Sequence, residues 1–484
     1  MSFRNFRPFP GCSTAILVLS CLILCNAHPT LARTLTFETG LERLQSPNTT
    51  IKGLHRFYIG YQATPHLSFG QSIYSAGIGN AGGAFFWGFE GGARLPLSQG
   101  LSLSASGFVG GGGGALQVIG DGTMLRAGLA LEYQLADAWA VQMSGAWLRI
   151  AGAPIDGPAF GFGLRRQIDA GTPGAWATKL DAAGVFATAQ TSPSGVRDRN
   201  DRPQADVVMV GARALFDLGA QTQLSLSAAG AGSGAEGYMQ VMGGMRRDFA
   251  LGNAGLFIDG NAGFGGGGHI DTGAGPRFEA AAGLRLPVTR AVDAELSLSG
   301  AIAPTGSFRG AAISVGVMRN FARTRQARAE AGQEQAARWA YSGGLTIQRT
   351  GPGYFVNNNT ARHVVMQESA IDYFIGESLY VSGIGQTTLH GGAAGYAVGL
   401  LGMGYQFDLS PRWTVGLEGR FGAAGGGGVN AAGGVVGSVR SVLDYRLTEN
   451  FALSLGLGQL RTLRRSGMST NFATLGIKIP FTTR

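Results

Sequence analysis

Apolar residues at every second position, on segments of about ten residues, narrow the folds open to this chain more than any other feature. Phe451, Leu453, Leu455 and Leu457 alternate with Ala452, Ser454, Gly456 and Gly458. Leu101 and Leu103 alternate with Ser102 and Ser104; Trp413, Val415 and Leu417 with Thr414, Gly416 and Glu418; Phe85, Trp87 and Phe89 with Phe86, Gly88 and Glu90. A strand turns successive side chains to opposite faces, so each segment has one greasy face and one small or polar face. Beyond Cys25 no apolar run is long enough for a membrane helix. With only 14% Asp, Glu, Lys and Arg, the chain is too apolar for a disordered tail. Its 82 glycines follow no Gly-x-y period and accompany just 17 prolines, which excludes collagen.

The connections alternate as well. Short turns such as Ala136-Asp137-Ala138, Leu409-Ser410-Pro411 and Leu447-Thr448-Glu449-Asn450 alternate with long Gly, Asn and Thr-rich loops at 45–54, 192–205 and 350–360. An up-and-down barrel with tight turns at one end has this asymmetry, and a soluble sandwich has no reason for it.

The chain also repeats. Phe69 to Gly79 and Ile375 to Gly385 share six of eleven residues, and Gly runs recur at 110–114, 265–268 and 425–428. Three units follow, 33–170, 176–320 and 340–484, of about eight strands each. The fold read from this is an all-β, antiparallel up-and-down transmembrane barrel. The short join from Asp169 to Ala175 favours one barrel of about 24 strands; three tandem eight-stranded barrels are the alternative. Residues 321–339, with Glu330, Glu334 and Arg338 at helical spacing, predict a polar helical linker. It is a plain connector or, on a second reading, a docking site for a periplasmic partner.

The first 32 residues have the layout of a secretory signal peptide. Arg4 and Arg7 precede the apolar run Ala15 to Cys25, and small residues suited to cleavage follow at Ala27 and Ala32. All three cysteines (Cys12, Cys21 and Cys25) fall in it, so a chain cleaved after Ala32 has no disulfide. Cleavage changes the net charge from +9 to 36 minus 29, or +7. Only Lys52, Lys179 and Lys478 are lysines, a bias that codon usage explains more simply than phosphate binding.

Taken together, the alternating segments, sorted loops and leader resemble the broad class of bacterial outer-membrane β-barrel proteins. Leu475, Ile477, Ile479 and Phe481 supply the alternating aromatic-ended terminus of that class, although Thr482, Thr483 and Arg484 follow it. The resemblance implies an outer-membrane location reached by signal-peptide-dependent export. It further implies outer-membrane lipid and lipopolysaccharide as surroundings, and contact with the barrel-insertion machinery through the last strand.

Charges on the lipid face of a strand cost about 2–4 kcal/mol at mid-bilayer, so strand charges are expected to face inward. They are Glu90, Arg94, Arg126, Glu132, Arg246, Asp248, Arg285, Glu418, Arg420, Arg440, Asp444 and Arg446. In a wide barrel they would line the lumen of a passive channel or export pore; in narrow barrels they would form a filled interior under loops that bind at the surface. A lipid-hydrolysing barrel is a further reading, since His66 and Ser68 fall on one strand face, but no orienting carboxylate is identifiable. No Cys or His cluster has metal spacing, no phosphate-loop lysine follows the Gly runs, and no cofactor or nucleic-acid partner is expected. Asp271 in Gly265 to Gly275 has no tandem partners for a calcium repeat. Gly at strand ends reads better as a device for bulges and close backbone contact.

Overall fold

The computed structural model describes residues 34–169, 180–330 and 337–483, apart from positions 47, 116, 117, 119 and 465. The predicted leader and its cleavage site lie outside them, as do residues 170–175 of the first join. The alternating segments become 24 antiparallel strands. Unit one holds β1 (Thr34–Leu44), β2 (Ile51–Gln62), β3 (Leu67–Gly79), β4 (Phe85–Ser98), β5 (Leu101–Gly113), β6 (Thr123–Ala136), β7 (Trp139–Ile150) and β8 (Ile155–Asp169). Unit two holds β9 (Leu180–Thr191), β10 (Val207–Gly219), β11 (Thr222–Ser233), β12 (Met239–Leu251), β13 (Ala254–Gly266), β14 (Pro276–Pro287), β15 (Val292–Ile302) and β16 (Arg309–Asn320). After the helix α1 (Phe321–Glu330), unit three holds β17 (Ala337–Arg349), β18 (His363–Phe374), β19 (Leu379–His390), β20 (Ala397–Asp408), β21 (Trp413–Gly425), β22 (Val435–Thr448), β23 (Phe451–Thr462) and β24 (Ser469–Thr483).

The expectation of one 24-stranded barrel is corrected: each unit closes on itself as an eight-stranded barrel. The last strand of each unit returns to its own first strand, pairing Leu41 with Phe162, Val185 with Val317 and Ile347 with Ala473. No edge hydrogen bonds are left over to join the units into a wider sheet. At one end the connections are two to four residues, and at the other four to fifteen. The described termini, Thr34 and Thr483, and α1 all belong to the short-turn end.

Alternation sorts the side chains as the period requires. Outward positions carry exposed apolar residues, among them Phe162 at 69% and Leu417 at 64% exposure, which give each barrel a greasy outer wall. Such walls are unstable in water, since each large apolar side chain gains about 1.5–3 kcal/mol by leaving it. Inward positions are layered. Beneath the long loops an apolar plug fills each barrel: Tyr74, Phe86, Phe108 and Leu148 in the first, Met209, Tyr238 and Phe308 in the second, Tyr354, Met366 and Leu460 in the third. The charges lie mostly toward the short-turn end.

The connector begins where predicted. The Asn320 side-chain oxygen accepts the Arg323 N–H at 2.9 Å, an N-cap that starts α1. Arg338, however, belongs to β17 rather than to the helix, and Glu334 lies outside the described residues. At the other terminus Phe481 pairs with Trp339, and Thr482 and Thr483 continue the strand beyond it.

Candidate functional site

The inward charges assemble into one ion-pair network per barrel. In the first, Arg56 bridges Glu38 at 2.7 Å and Glu90 at 2.6 Å, and Arg126 holds Glu42 at 2.6 Å. Arg165 and Arg94 share Glu132, at 2.6 and 3.0 Å. In the second, Arg246 joins Glu295 at 2.7 Å to Asp248 at 3.1 Å, Arg285 reaches Asp248 at 2.8 Å, and Arg213 faces Asp259 at 3.4 Å. Arg246 is fully buried, its guanidinium 3.6 Å over the Phe257 ring. In the third, Arg440 lies 2.6 Å from both Glu368 and Glu418, Arg420 is 2.7 Å from Glu418, and Lys478 is 2.9 Å from Asp444.

Of the residues predicted to face inward, Glu90, Arg94, Arg126 and Glu132 meet in the first barrel, Arg246, Asp248 and Arg285 in the second, and Glu418, Arg420, Arg440 and Asp444 in the third. Arg446 lies apart, its side chain 45% exposed at the rim and 3.7 Å from Asp408. Sequence reasoning missed Glu38, Glu42, Arg56, Arg165, Arg213, Asp259, Glu295, Glu368 and Lys478, although the same alternation places Glu38 and Glu42 opposite Leu41. His66 and Ser68 do not form a pair: the His66 ring bonds the Arg94 carbonyl at 3.1 Å, and Ser68 lines the interior of the first barrel.

These networks leave little space. The cavity among the charges of the first barrel measures about 50 Å³, and that beside Arg213 and Glu295 about 10 Å³. Such volumes hold a few waters at most.

The Gly runs act between barrels. Gly83, between β3 and β4, lies against Gly266 and Gly267 of the second barrel; Gly237, between β11 and β12, against Gly425 and Gly426 of the third; Gly395, between β19 and β20, against Gly113 and Gly114 of the first. A Cβ on Gly83 would stand 2.3 Å from the Gly267 nitrogen, and one on Gly425 2.6 Å from that of Gly237. The loop after the third strand of each unit thus meets the end of the fifth strand of the next, closing a pseudo-threefold ring. Backbone bonds run across it, from Gly82 N–H to the Gly273 carbonyl at 2.7 Å and from Gly395 N–H to the Gly112 carbonyl at 2.8 Å. The Glu236 carboxylate accepts the N–H groups of Ala431 at 3.2 Å and Gly433 at 2.8 Å. Deeper in the seam between barrels one and three, the Gln71 amide donates to the Tyr341 hydroxyl at 2.7 Å and accepts from the Trp87 indole at 3.2 Å.

One contact of the ring depends on pH. Asp121 accepts the N–H groups of Gly391 and Gly392 at 2.9 and 3.0 Å and lies 2.8 Å from the His390 ring. Burial opposes its charge, but these neighbours outweigh burial and hold the carboxyl below its ordinary range. A group depressed in the folded state stabilises above its unfolded pKa and loses that effect as pH falls through the folded value. The latch between loops 114–122 and 391–396 is therefore expected to hold at neutral pH and to weaken only in acid, below about pH 4. Amide exchange at Gly391 and Gly392, corrected for intrinsic rates, checks this; equal protection at pH 3 and pH 7 contradicts it.

Inside the ring, where loops of all three barrels meet, is a cavity of about 770 Å³. Among its walls is His269, held at φ 63° in the left-handed region. That conformation costs a non-glycine residue about 1–3 kcal/mol. The third unit has Gly428, at φ 70°, in the corresponding place two residues after its Gly426.

No family model matches the chain, and no curated protein does. Among solved structures it is similar to a de novo designed transmembrane β-barrel, at 14% identity over 31% of this chain and 98% of the design, with a TM-score of 0.21. It is also similar to Pseudomonas aeruginosa OccK2 (OpdF), at 11% identity over 93% of this chain and 97% of that one, TM-score 0.25. Fiu, the ferric-catecholate import receptor of Escherichia coli K12, shares 10% identity over 93% and 81% of the two chains, TM-score 0.29. It is the architecture itself, closed antiparallel barrels with greasy outer walls and polar interiors, that matches the broad class of outer-membrane β-barrel proteins.

Proposed function

We propose that the protein is a structural and surface-binding assembly of the outer membrane, three filled barrels that hold a platform of long loops on the outer side. The observation that carries this reading is the double closure of each barrel, by a charge network and by an apolar plug beneath the loops. A solute path needs a lumen, and ligand-sized cavities run to about 300–1,000 Å³, far above the cavities of about 50 and 10 Å³ inside the first and second barrels. The greasy walls face lipid and lipopolysaccharide, and the leader directs export. The last strand, ending near Phe481, meets the insertion machinery, and α1, at the short-turn end, meets a periplasmic partner.

In planar bilayers the purified protein is expected to give no large, steady conductance step; such a step would overturn this reading. A channel remains the second reading, favoured by the central cavity: its current would run between the barrels and disappear in Val241→Trp, which narrows that cavity.

A further inference from the structure

The central cavity is amphipathic along its depth. Its outer end is lined by loop residues, of which Arg199, Asn200 and His269 come together from two loops of the second barrel, where the Arg199 N–H bonds the His269 carbonyl at 2.8 Å. Its inner end reaches the first turns of the strands, where Phe85 opens β4, Val241 is the third residue of β12 and Phe264 is the third from the end of β13. Val241 points outward from β12, and Phe264 stacks on His55 of the first barrel with ring centroids 4.5 Å apart, so the floor of the cavity is apolar. Among the described residues the Asn200 side-chain amide and the His269 ring have no hydrogen-bond partner, while the Asn200 backbone N–H donates to the Asp198 carboxylate at 2.8 Å. The Arg199 guanidinium donates to the Gly273 carbonyl at 3.0 Å, with Asp271 3.9 Å away, and retains further N–H groups.

We propose that this cavity binds one anionic amphiphile, its phosphate head among Arg199, Asn200 and His269 and its apolar chain against Phe85, Val241 and Phe264. The proposal names the ligand class of the surface-binding reading and rests on it. A guanidinium, an imidazole and an amide among the lining residues of one end suit an anionic head that accepts several hydrogen bonds. The apolar end suits a chain rather than a free ion. His269 keeps a conformation in which Gly428 sits in the third unit, so a side chain is placed here against the backbone preference. The volume, about 770 Å³, lies within the range of ligand cavities. Inorganic phosphate and a phosphate-headed lipid share the head chemistry, and only the lipid uses the floor.

The test is titration of the full chain, purified in an amine-oxide detergent, with lysophosphatidylglycerol, followed by native mass spectrometry. One bound molecule per chain is expected. His269→Gly, which restores the residue of the third unit, should weaken binding at least tenfold, and Val241→Trp should abolish it, with heat-modifiable gel mobility showing that both variants fold. Equal binding by wild type and His269→Gly overturns the proposal, as does the absence of binding to wild type. Inorganic phosphate binding as tightly as the lipid would make this an ion site, and a neutral alkyl maltoside binding as tightly would make it a chain groove; either result overturns it. None of these results bears on conductance, so the surface-binding reading fails or stands separately.

Discussion

Replacing Arg440 by Ala is expected to destabilise the third barrel by about 3–5 kcal/mol, because it leaves the buried Glu368 carboxylate without its counter-charge. Arg440 is the only cation within 4 Å of Glu368 among the described residues. Without it, Glu368 keeps the Thr346 hydroxyl and the Gln386 amide, both at 2.6 Å, which donate hydrogen bonds but carry no charge. Glu418 retains Arg420 at 2.7 Å. Urea unfolding from lipid vesicles, read as the shift in midpoint at constant slope, measures the loss. Arg149→Ala is the internal contrast. That pair with Asp156 is exposed and 3.7 Å apart, so its removal should change stability by less than about 1 kcal/mol. Equal effects from the two substitutions would show that the barrel interior is hydrated like a surface.

The second large effect is expected from valine at Gly111, Gly266 or Gly425. At these three positions φ lies outside the left-handed region, so a side chain strains no local backbone. The three atoms nearest an added Cβ all belong to the neighbouring barrel. They begin with the Thr388 carbonyl oxygen at 1.9 Å for Gly111, the Gly83 nitrogen at 2.3 Å for Gly266 and the Gly237 nitrogen at 2.6 Å for Gly425. Overpacking of this kind costs about 1–3 kcal/mol, and here the cost falls on the seam alone. Each barrel should still close and keep its heat-modifiable mobility, while the ring opens at one seam. No cysteine lies beyond Cys25, so spin labels can be placed freely on loops 80–84 and 267–275. In Gly266→Val the distance between them should lengthen and broaden. An unchanged distance would mean that this seam is held by the stack of His55 on Phe264, ring centroids 4.5 Å apart, rather than by the glycines.

Individual strands were legible in the sequence because a two-residue period is a local property that lipid and core both enforce. Their closure was not. Whether β8 pairs with β1 or with β9 changes no side chain's face, so one wide barrel and three narrow ones share the same alternation. The short join that favoured a single sheet says how far the chain travels, not which edge it bonds. Charges near strand middles, such as Glu90 and Arg440, were found by opposition to Leu and Phe. Arg446, the third residue from the end of β22, followed the same parity but lies at the rim, where solvent replaces the barrel wall. The Gly runs were legible as a repeated device. Their partners were not, because Gly113 meets Gly395, and no local pattern connects positions so far apart.

The pseudo-threefold ring within one polypeptide has a consequence for what its axis can carry. Three identical subunits would have to present any axial residue three times, and a substitution in one would crowd the centre with two more. Concatenation removes that constraint. A single imidazole can stand where its counterpart is glycine, so a chain built from repeats can still evolve a lopsided centre.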